Sequence, residues 1–329
     1  MSFVRILALA SVAALAVHAQ HRLHAVGAAT KNWVVGFPLQ SSGLFVKSDS
    51  GKWENPGHRH PQIHGIVSDG NEAGVLYLAA GNGCIRVDSR KPGWRILTGS
   101  DVTELQDISI GADGSIVFAH TTGIRVSTDH GATWREVAAP LPRRYVSAIV
   151  ADRLKAGRIV AGTDIGLYAT FDSGRTWTLS GAAGFQIMRI AQSPHDPQLV
   201  LAVTQQGGLF RSDDGGNRFE SSGRVGVGDN LYDIAFDSTD PKRIALCGWG
   251  PGVVVSEDGG KTWQSRNAGL PSHEIWSIAF DPDHPGRLYA SAHEDALYVS
   301  DDAGRTWRQD GLPGSIVYRM AFLPIGGAR

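Results

Sequence analysis

Cysteine, net charge and long apolar runs are all scarce in this sequence. Its two cysteines, Cys84 and Cys247, allow at most one disulfide within the 329-residue chain. Lys and Arg number 31 against 32 for Asp and Glu, so no strong overall field would attract nucleic acid or an anionic membrane. On this ground we expect no nucleic-acid partner.

The one long apolar run lies at the N-terminus. Arg5 precedes an apolar stretch over residues 6–17, which has the length of the central region of a signal peptide. Val17 and Ala19 then suit a cleavage site before Gln20, and the run is too short to span a bilayer comfortably. The sequence therefore predicts a signal peptide over residues 1–19, an exported domain over residues 20–329, and no membrane span after cleavage.

Glycine, in contrast, is abundant. The chain has 41 glycines, about one residue in eight, against an average of ~7%. Turn residues recur throughout and patterns of helical period are scarce, while 42% apolar residues suffice for a large core. This composition predicts an all-β fold.

A short segment recurs seven times along the chain. The clearest copies are ALYVSDDAGRTW (296–307), GVVVSEDGGKTW (252–263), GLYATFDSGRTW (166–177), GIRVSTDHGATW (123–134) and GLFRSDDGGNRF (208–219), with degraded copies at 43–53 and 83–94. The closing aromatic residues are Trp53, Trp94, Trp134, Trp177, Phe219, Trp263 and Trp307, at spacings of 41, 40, 43, 42, 44 and 44 residues. Two strand-like runs precede each copy, so every repeat reads as four antiparallel strands, which is the pattern of a propeller blade.

The pattern Ser-x-Asp-x-Gly-x-Thr-Trp resembles the Asp-box, or BNR, repeat of sialidases, xyloglucanases, sortilin-type receptors and photosystem II assembly-factor propellers. The matching residues are Asp129, Asp172, Asp214, Asp258 and Asp302, with Trp134, Trp177, Trp263 and Trp307 closing four of these copies. The resemblance implies a single seven-bladed β-propeller of four-stranded blades, with each Asp box between the third and fourth strands. It looks most like the assembly-factor type, which is not enzymatic; the Arg-Ile-Pro motif of sialidases is absent.

A structural role explains the Asp box better than chemistry does. Its Asp can accept hydrogen bonds from turn amides, its Gly permits a left-handed backbone, and its Trp can bury a large ring. A catalytic dyad would not recur in seven copies, and a Ca²⁺ loop would need more oxygen ligands. With strands lettered A to D from the axis outward, the boxes mark the face opposite the D–A and B–C loops, so we expect function on that loop face.

The predicted A strands align on the core residues Ile66, Ile108, Ile149, Ile190, Ile234, Ile278 and Met320. One position earlier lie Gly65, Asp107, Ala148, Arg189, Asp233, Ser277 and Arg319, and two positions earlier His64, Gln106, Ser147, Met188, Tyr232, Trp276 and Tyr318. Together with Trp249 and His293 from B–C loops, the charged and aromatic members of this set predict a ligand site at the channel mouth. The candidates are Arg189, Arg319, Tyr232, Trp249, Trp276, Tyr318 and His293.

Two interpretations of this set stay open. The charges could pair with one another in a wet channel, for instance Arg189 with Asp233. Alternatively they could serve a glycoside hydrolase, which needs two carboxylates ~5–9.5 Å apart. Asp107, Asp233 and Glu294 are the candidates, with Glu274 and Asp295 nearby, and the sequence gives no pair its distance.

Two further motifs carry weaker signals. His58, His60 and His64 have a spacing that could hold a divalent metal, although no carboxylate follows closely. The pair Arg143 and Arg144 precedes the fourth A strand and could contact an anion, but a solvated loop explains it as well.

The ends of the chain predict how the ring closes. Residues 315–324 read as an extra A strand with no blade to follow, so they can complete blade 1 and remove an open edge. Residues 23–29 compete for the same position. Cys84 and Cys247 then lie in blades 2 and 6, too far apart for a disulfide.

We therefore expect an exported, non-enzymatic binding or assembly scaffold that recognises a protein or carbohydrate partner on the D–A and B–C loop face, as a monomer without a cofactor. The alternative is a glycoside hydrolase, sialidase-like or xyloglucanase-like, acting on that same face.

Overall fold

The computed structural model describes residues 21–32, 34, 41–88, 90–91, 93–137, 141–142, 145–223, 225 and 230–325. Within these ranges the chain forms 28 strands and no helix, so no helix there could cross a membrane. The strands build seven four-stranded antiparallel sheets, which confirms the predicted seven-bladed β-propeller. The predicted signal peptide and the pair Arg143 and Arg144 lie outside the described residues.

Each blade contributes four strands, lettered A to D from the axis outward. Blade 1 takes its B to D strands from β1 (His21–Ala29), β2 (Ser42–Lys47) and β3 (Trp53–Glu54). Blades 2 and 3 comprise β4 (Ile63–Ser68), β5 (Val75–Ala80), β6 (Gly83–Asp88), β7 (Trp94–Ile96), β8 (Leu105–Ile110), β9 (Ile116–His120), β10 (Gly123–Ser127) and β11 (Arg135–Glu136). Blades 4 and 5 comprise β12 (Val146–Ala151), β13 (Ile159–Thr163), β14 (Gly166–Thr170), β15 (Thr178–Gly181), β16 (Ile187–Gln192), β17 (Val200–Thr204), β18 (Gly208–Ser212) and β19 (Glu220–Ser221). Blades 6 and 7 comprise β20 (Asn230–Phe236), β21 (Ile244–Trp249), β22 (Gly252–Ser256), β23 (Gln264–Ser265), β24 (Ile275–Phe280), β25 (Leu288–Ala292), β26 (Leu297–Ser300) and β27 (Arg308–Gly311), and the last strand is β28 (Ser315–Pro324).

The C-terminal strand closes the ring, as predicted. β28 is the A strand of blade 1 and pairs with β1 from His21↔Pro324 to Ala29↔Ser315. It also contacts β24 and β4, the A strands of the two neighbouring blades. The competing segment, residues 23–29, lies within β1 and forms the B strand beside it. The first and last described strands are therefore held in one blade, and no A-strand edge is left open.

The core is divided into seven clusters, each between two adjacent blades. Most B and C strands are buried on both faces, because each sheet is covered by a sheet on either side. Cys84 lies between blades 2 and 3 and Cys247 between blades 6 and 7, and both thiols are free, as predicted.

The Asp-box turns join the third and fourth strands and hold themselves together by hydrogen bonds. In blade 7, Ser300 Oγ donates to Asp302 Oδ1 (2.7 Å) and accepts from the Gly304 amide (2.7 Å), while Thr306 donates to Asp302 through its amide (2.8 Å) and its hydroxyl (2.7 Å). Gly304 has a φ of +85°, which a residue with a side chain adopts only under strain. The carboxylate is thus fully used within the turn.

The closing tryptophans connect neighbouring blades. Trp134, Trp177 and Trp307 each donate from Nε1 to a carbonyl at the end of the preceding blade, namely Leu97, Val137 and Arg266, at 2.8–3.1 Å. Trp94 is an exception to the expected burial, since it is 50% exposed. Blade 2 lacks a complete Asp box, and the Trp94 ring instead contacts the edge of His58 (centroids 5.0 Å apart).

Candidate ligand-binding site at the channel mouth

Every A strand contains a β-bulge near its beginning. In each blade one residue is skipped in the pairing with the B strand. The skipped residues are His64, Gln106, Ser147, Met188, Tyr232, Trp276 and Tyr318, which are the seven residues two positions before the core Ile or Met. A bulge re-aims a side chain and recurs beside functional sites.

These seven bulged residues line a single cavity, here called the cup, at the D–A and B–C end of the channel. The cup has a volume of about 190 Å³. Its lining comprises His64, Gln106, Tyr145, Ser147, Gln186, Met188, Tyr232, Trp276, Tyr318 and Arg319. All ten are half-buried, so they belong neither to the core nor to the open surface. The structure therefore brings four of the predicted ligand-site residues, Tyr232, Trp276, Tyr318 and Arg319, into one cavity.

Aromatic rings form one side of the cup. Tyr232 and Trp276 stack with ring centroids 5.0 Å apart and an interplanar angle of 19°. Tyr318 meets Trp276 edge-on at 6.1 Å, and His64 meets Tyr318 at 5.3 Å. The result is a continuous arc of four rings across blades 6, 7, 1 and 2.

Neutral polar side chains and the apolar Met188 occupy the other side, in blades 3 to 5. Gln106 donates from Nε2 to the Glu104 carbonyl (2.9 Å), and Ser147 Oγ donates to the Ile187 carbonyl (2.5 Å). The Gln186 amide and the hydroxyls of Tyr145, Tyr232 and Tyr318 make no hydrogen bond to any described residue. The cup thus combines an aromatic wall with unused neutral donors and acceptors.

Four charged residues form an alternating chain beneath the cup. Arg189 Nη1 donates to both carboxylate oxygens of Asp107 (3.0 and 2.8 Å), and its Nε lies 3.5 Å from Asp233. Arg319 Nη1 donates to Asp233 Oδ1 at 2.8 Å. The expectation that channel charges pair holds here, but the shorter contact of Arg189 is to Asp107, two blades away, rather than to Asp233.

The two aspartates also bind backbone amides of adjacent blades. Asp107 accepts from the amides of Ile108 (3.0 Å) and Ile149 (3.1 Å), and Asp233 accepts from those of Ile234 (2.9 Å) and Ile278 (3.1 Å). Both are nearly inaccessible, at 2% and 3% exposure, and neither lines the cup. Both contact Arg189, and each of their carboxylate oxygens already accepts at least one hydrogen bond.

The other carboxylates proposed for hydrolysis lie outside the cup. Glu294, with a φ of +49°, is in the turn between β25 and β26, and it is close enough to raise the pKa of Tyr318 after burial, the larger cause. Asp295 accepts from the Tyr298 hydroxyl at 2.7 Å. Glu274 is exposed at the loop before β24. None of the three lines the cup.

Burial favours the uncharged form of the tyrosines and the histidine in the lining. Burial raises the pKa of Tyr232 and of Tyr145, with Asp164 and Glu104 adding to the effect at Tyr145. Burial lowers the pKa of His64, whose Nδ1 lies 3.1 Å from the Leu105 carbonyl oxygen. Burial and the neighbouring Arg189 lower the pKa of Arg319, which lines the cup and is paired with Asp233.

Trp249 and His293 stand behind the aromatic arc rather than inside the cup. Trp249 contacts Tyr232 (5.7 Å), Trp276 (5.8 Å) and His293 (5.1 Å) between ring centroids. Trp249 Nε1 and His293 Nδ1 are buried without a hydrogen-bond partner. These two predicted residues therefore pack behind the cup wall and do not line the cup.

The three spaced histidines point to different neighbours. The His58 ring meets Trp94, the His60 Nδ1 lies 3.2 Å from the Gln62 carbonyl oxygen, and His64 faces the cup. Among the residues that the structure describes, no group of three potential metal ligands comes together.

A second, larger hollow of about 380 Å³ lies at the outer edge of blade 5. Its exposed charges are already paired, Arg211 with Asp213 at 2.7 Å and Arg218 with Glu220 at 3.1 Å. It has no aromatic lining. The smaller cup is therefore the better candidate for a ligand.

Sequence reasoning missed Gln186 as a lining residue and treated Tyr145 only as part of a loop. Both lie two positions before the bulged residue of their strands. Because side chains alternate along a strand, the same face is reached again at this interval, and that was the signal available in the sequence.

No family model matches the sequence, and no curated protein does either. Many solved structures match its fold. The GH74 xyloglucanase from Xanthomonas campestris is 16% identical with a TM-score of 0.62 over 76% of this chain and 45% of that one. YCF48 bound to D1 peptide is 20% identical with a TM-score of 0.59 over 76% of this chain and 82% of that one. The extracellular domain of the putative hybrid two component system BT4673 from B. thetaiotaomicron is 16% identical with a TM-score of 0.62 over 84% and 39%.

These similarities concern the fold. They confirm the predicted likeness to xyloglucanase and assembly-factor propellers at that level, and they include both a hydrolase and a peptide-bound protein. The chain spans less than half the length of the xyloglucanase it matches.

Proposed function

We propose that this chain is an exported, non-catalytic binding propeller that receives a protein or glycan partner at the channel mouth. The observation that carries the proposal is that the channel carboxylates and the cup lining have separate roles. Asp107 and Asp233 are consumed by amides and arginines below the cup, while the cup itself offers aromatic rings and unused neutral polar groups. A site built this way can hold a ligand, but its described lining contains no carboxylate pair for glycoside hydrolysis.

Export rests on the signal peptide predicted at residues 1–19. A protein partner is supported by YCF48 bound to D1 peptide, a propeller of similar fold, of which this chain covers 82%. The glycoside-hydrolase alternative rests on the presence of two carboxylates, Asp107 and Asp233, that both contact Arg189.

The test combines binding and cleavage. The purified protein would be applied to glycan and peptide arrays, and every retained glycan would be assayed for release of reducing ends. We expect binding that Trp276→Ala abolishes and no reducing-end release. Phe171→Ala is the matched control, since this exposed aromatic residue lies in the Asp-box turn of blade 4, on the opposite face.

Two results would overturn the proposal. One is reducing-end release that disappears in a folded Asp233→Asn protein, which would establish a hydrolase. The other is binding that survives Trp276→Ala but not Phe171→Ala, which would move recognition to the Asp-box face.

A further inference from the structure

We propose that the cup is a subsite for a single uncharged sugar ring. The inference rests on the proposed function and narrows it, since it names the chemical class that the channel mouth receives. Three properties of the cup carry it: its size, its two unlike walls and its lack of net charge.

The size of the cup limits the ligand to one ring. Its volume of about 190 Å³ is below the ~300–1,000 Å³ typical of pockets for drug-sized ligands. It lies on the propeller axis and is enclosed by residues of all seven A strands. An oligosaccharide therefore cannot lie within it, whereas one terminal ring can enter from the loop face.

The two walls match the two kinds of surface on a sugar. The rings of Tyr232, Trp276 and Tyr318 give an aromatic wall on which C–H groups can pack. Opposite them, Gln186 and Tyr145 keep their hydrogen-bonding groups unused, and Gln106 keeps its carbonyl oxygen. A pyranose has apolar C–H patches on its faces and hydroxyls at its edge, so it can satisfy both walls at once.

The balance of charge favours an uncharged ligand. Among the residues that the structure describes, Arg319 is the one charged member of the lining, and its Nη1 is bound to Asp233. The next charges, Asp107 and Arg189, bind each other. Within the described part of the channel mouth, an acidic sugar or a carboxylate would find Arg189 and Arg319 already paired with carboxylates, and a cation would meet the guanidinium of Arg319.

A protein side chain fits the cup less well. An aromatic or apolar side chain could pack on Trp276, but it would cover Gln186 and the hydroxyl of Tyr145 without bonding them. A polar group that is buried without a partner is costly. This occupant is therefore treated as an outcome of the test.

The test is a titration of the purified protein, in which isothermal titration calorimetry measures the binding of each probe. The neutral probes are the methyl glycosides of glucose, galactose, mannose and xylose. The comparison probes are glucuronic acid, tetramethylammonium and N-acetyltryptophanamide. We expect saturable binding of at least one neutral glycoside and none of the comparison probes.

The variants separate contact from folding. Gln186→Ala removes a neutral polar group and should weaken glycoside binding several-fold, and Trp276→Leu should weaken it about tenfold. Phe171→Ala should leave it unchanged. Melting temperatures check that each variant folds; if Trp276→Leu does not fold, Tyr232→Phe and Gln186→Ala carry the test.

The outcomes distinguish this inference from the proposed function. If N-acetyltryptophanamide binds and none of the glycosides does, and if Trp276→Leu abolishes that binding, the sugar subsite is overturned while the binding propeller stands. Binding of no probe would also overturn the sugar subsite. If ligands from the arrays bind the Trp276 variants as tightly as the natural protein, both the sugar subsite and the proposed function are overturned.

Discussion

Asp233 binds three blades of the ring to one another. It accepts from its own strand at Ile234, from blade 7 at Ile278, and from Arg319 of blade 1. Asp107 does the same for blades 3, 4 and 5 through Ile149 and Arg189. In sequence these residues looked like catalytic carboxylates, because neither their amide partners nor their arginines can be assigned from spacing.

The Asp233→Asn substitution tests this structural role. It leaves Arg319 buried without its full countercharge and replaces one acceptor by a donor, so we expect a loss of about 2–4 kcal/mol in the free energy of unfolding. Asp301→Asn is the control, since Asp301 is half exposed and its pairs with Arg287 and Arg308 are at the surface. That change should cost below ~1 kcal/mol. Denaturant unfolding measures both, and equal losses would contradict the assignment.

His58 gives the protein a sensitivity to mild acid. Burial, with a smaller effect of His60, lowers its pKa to about 4, and neither ring nitrogen has a hydrogen-bond partner. The unfolded chain takes up a proton on this imidazole near pH 6.5, whereas the folded chain does not until about pH 4. The stability that this neutral imidazole contributes is thus complete above pH 6.5 and declines as the pH falls toward 4.

Replacing His58 by Leu should reduce that decline. Between pH 7 and pH 5, we expect the variant to lose about 1 kcal/mol less free energy of unfolding than the natural protein. Denaturant unfolding at both pH values measures this. His273→Leu, an exposed control, should leave the decline unchanged. An identical decline in the His58 variant would show that another group sets the acid sensitivity.

At the scale of strands, the bulge of each A strand decides which side chains enter the cup. The sequence alignment predicted that the seven residues before the core positions lie around the channel, because the repeat fixes their place in each blade. It did not predict the bulge, which depends on pairing with the B strand. The pairing of Arg189 with Asp107 could not be predicted from the sequence either, because it depends on how far these side chains extend across the channel.

Tryptophans at equivalent positions in blades 7 and 2 should differ in importance. Trp307 is 7% exposed and donates to the Arg266 carbonyl at 2.8 Å, whereas Trp94 is 50% exposed. Trp307→Phe should cost about 1–3 kcal/mol, because it removes buried volume and leaves a carbonyl unpaired. Trp94→Phe should cost below ~0.5 kcal/mol. Denaturant unfolding compares them, and similar costs would contradict the inter-blade role of Trp307.

At the scale of the whole molecule, stability depends on a ring closed without a covalent bond. β28 buries Val317 and contacts β1, β4 and β24. The repeat made this closure predictable, because residues 315–324 read as an A strand without a blade. The identity of β1 as the neighbouring B strand became clear only from the pairing.

Deletion of residues 315–329 should open the ring. It exposes the edge of β1 and removes the contact between blades 7 and 2 through β28, so we expect loss of the cooperative thermal transition at the natural melting temperature. A synthetic peptide of residues 315–325, added in trans, should restore it in part. Circular dichroism melts report both. A truncated protein that melts within a few degrees of the full chain would contradict closure by β28.

The central claim is that the cup holds its ligand without cleaving it. A crystal structure of the protein grown with the tightest-binding methyl glycoside from the titration tests this most directly. The account predicts an intact sugar ring packed against Trp276 and Tyr232, with hydroxyls facing Gln186 and Tyr145, and with Asp107 and Asp233 still bound to their arginines. A cleaved glycoside, or a sugar bound only outside the cup, would contradict it.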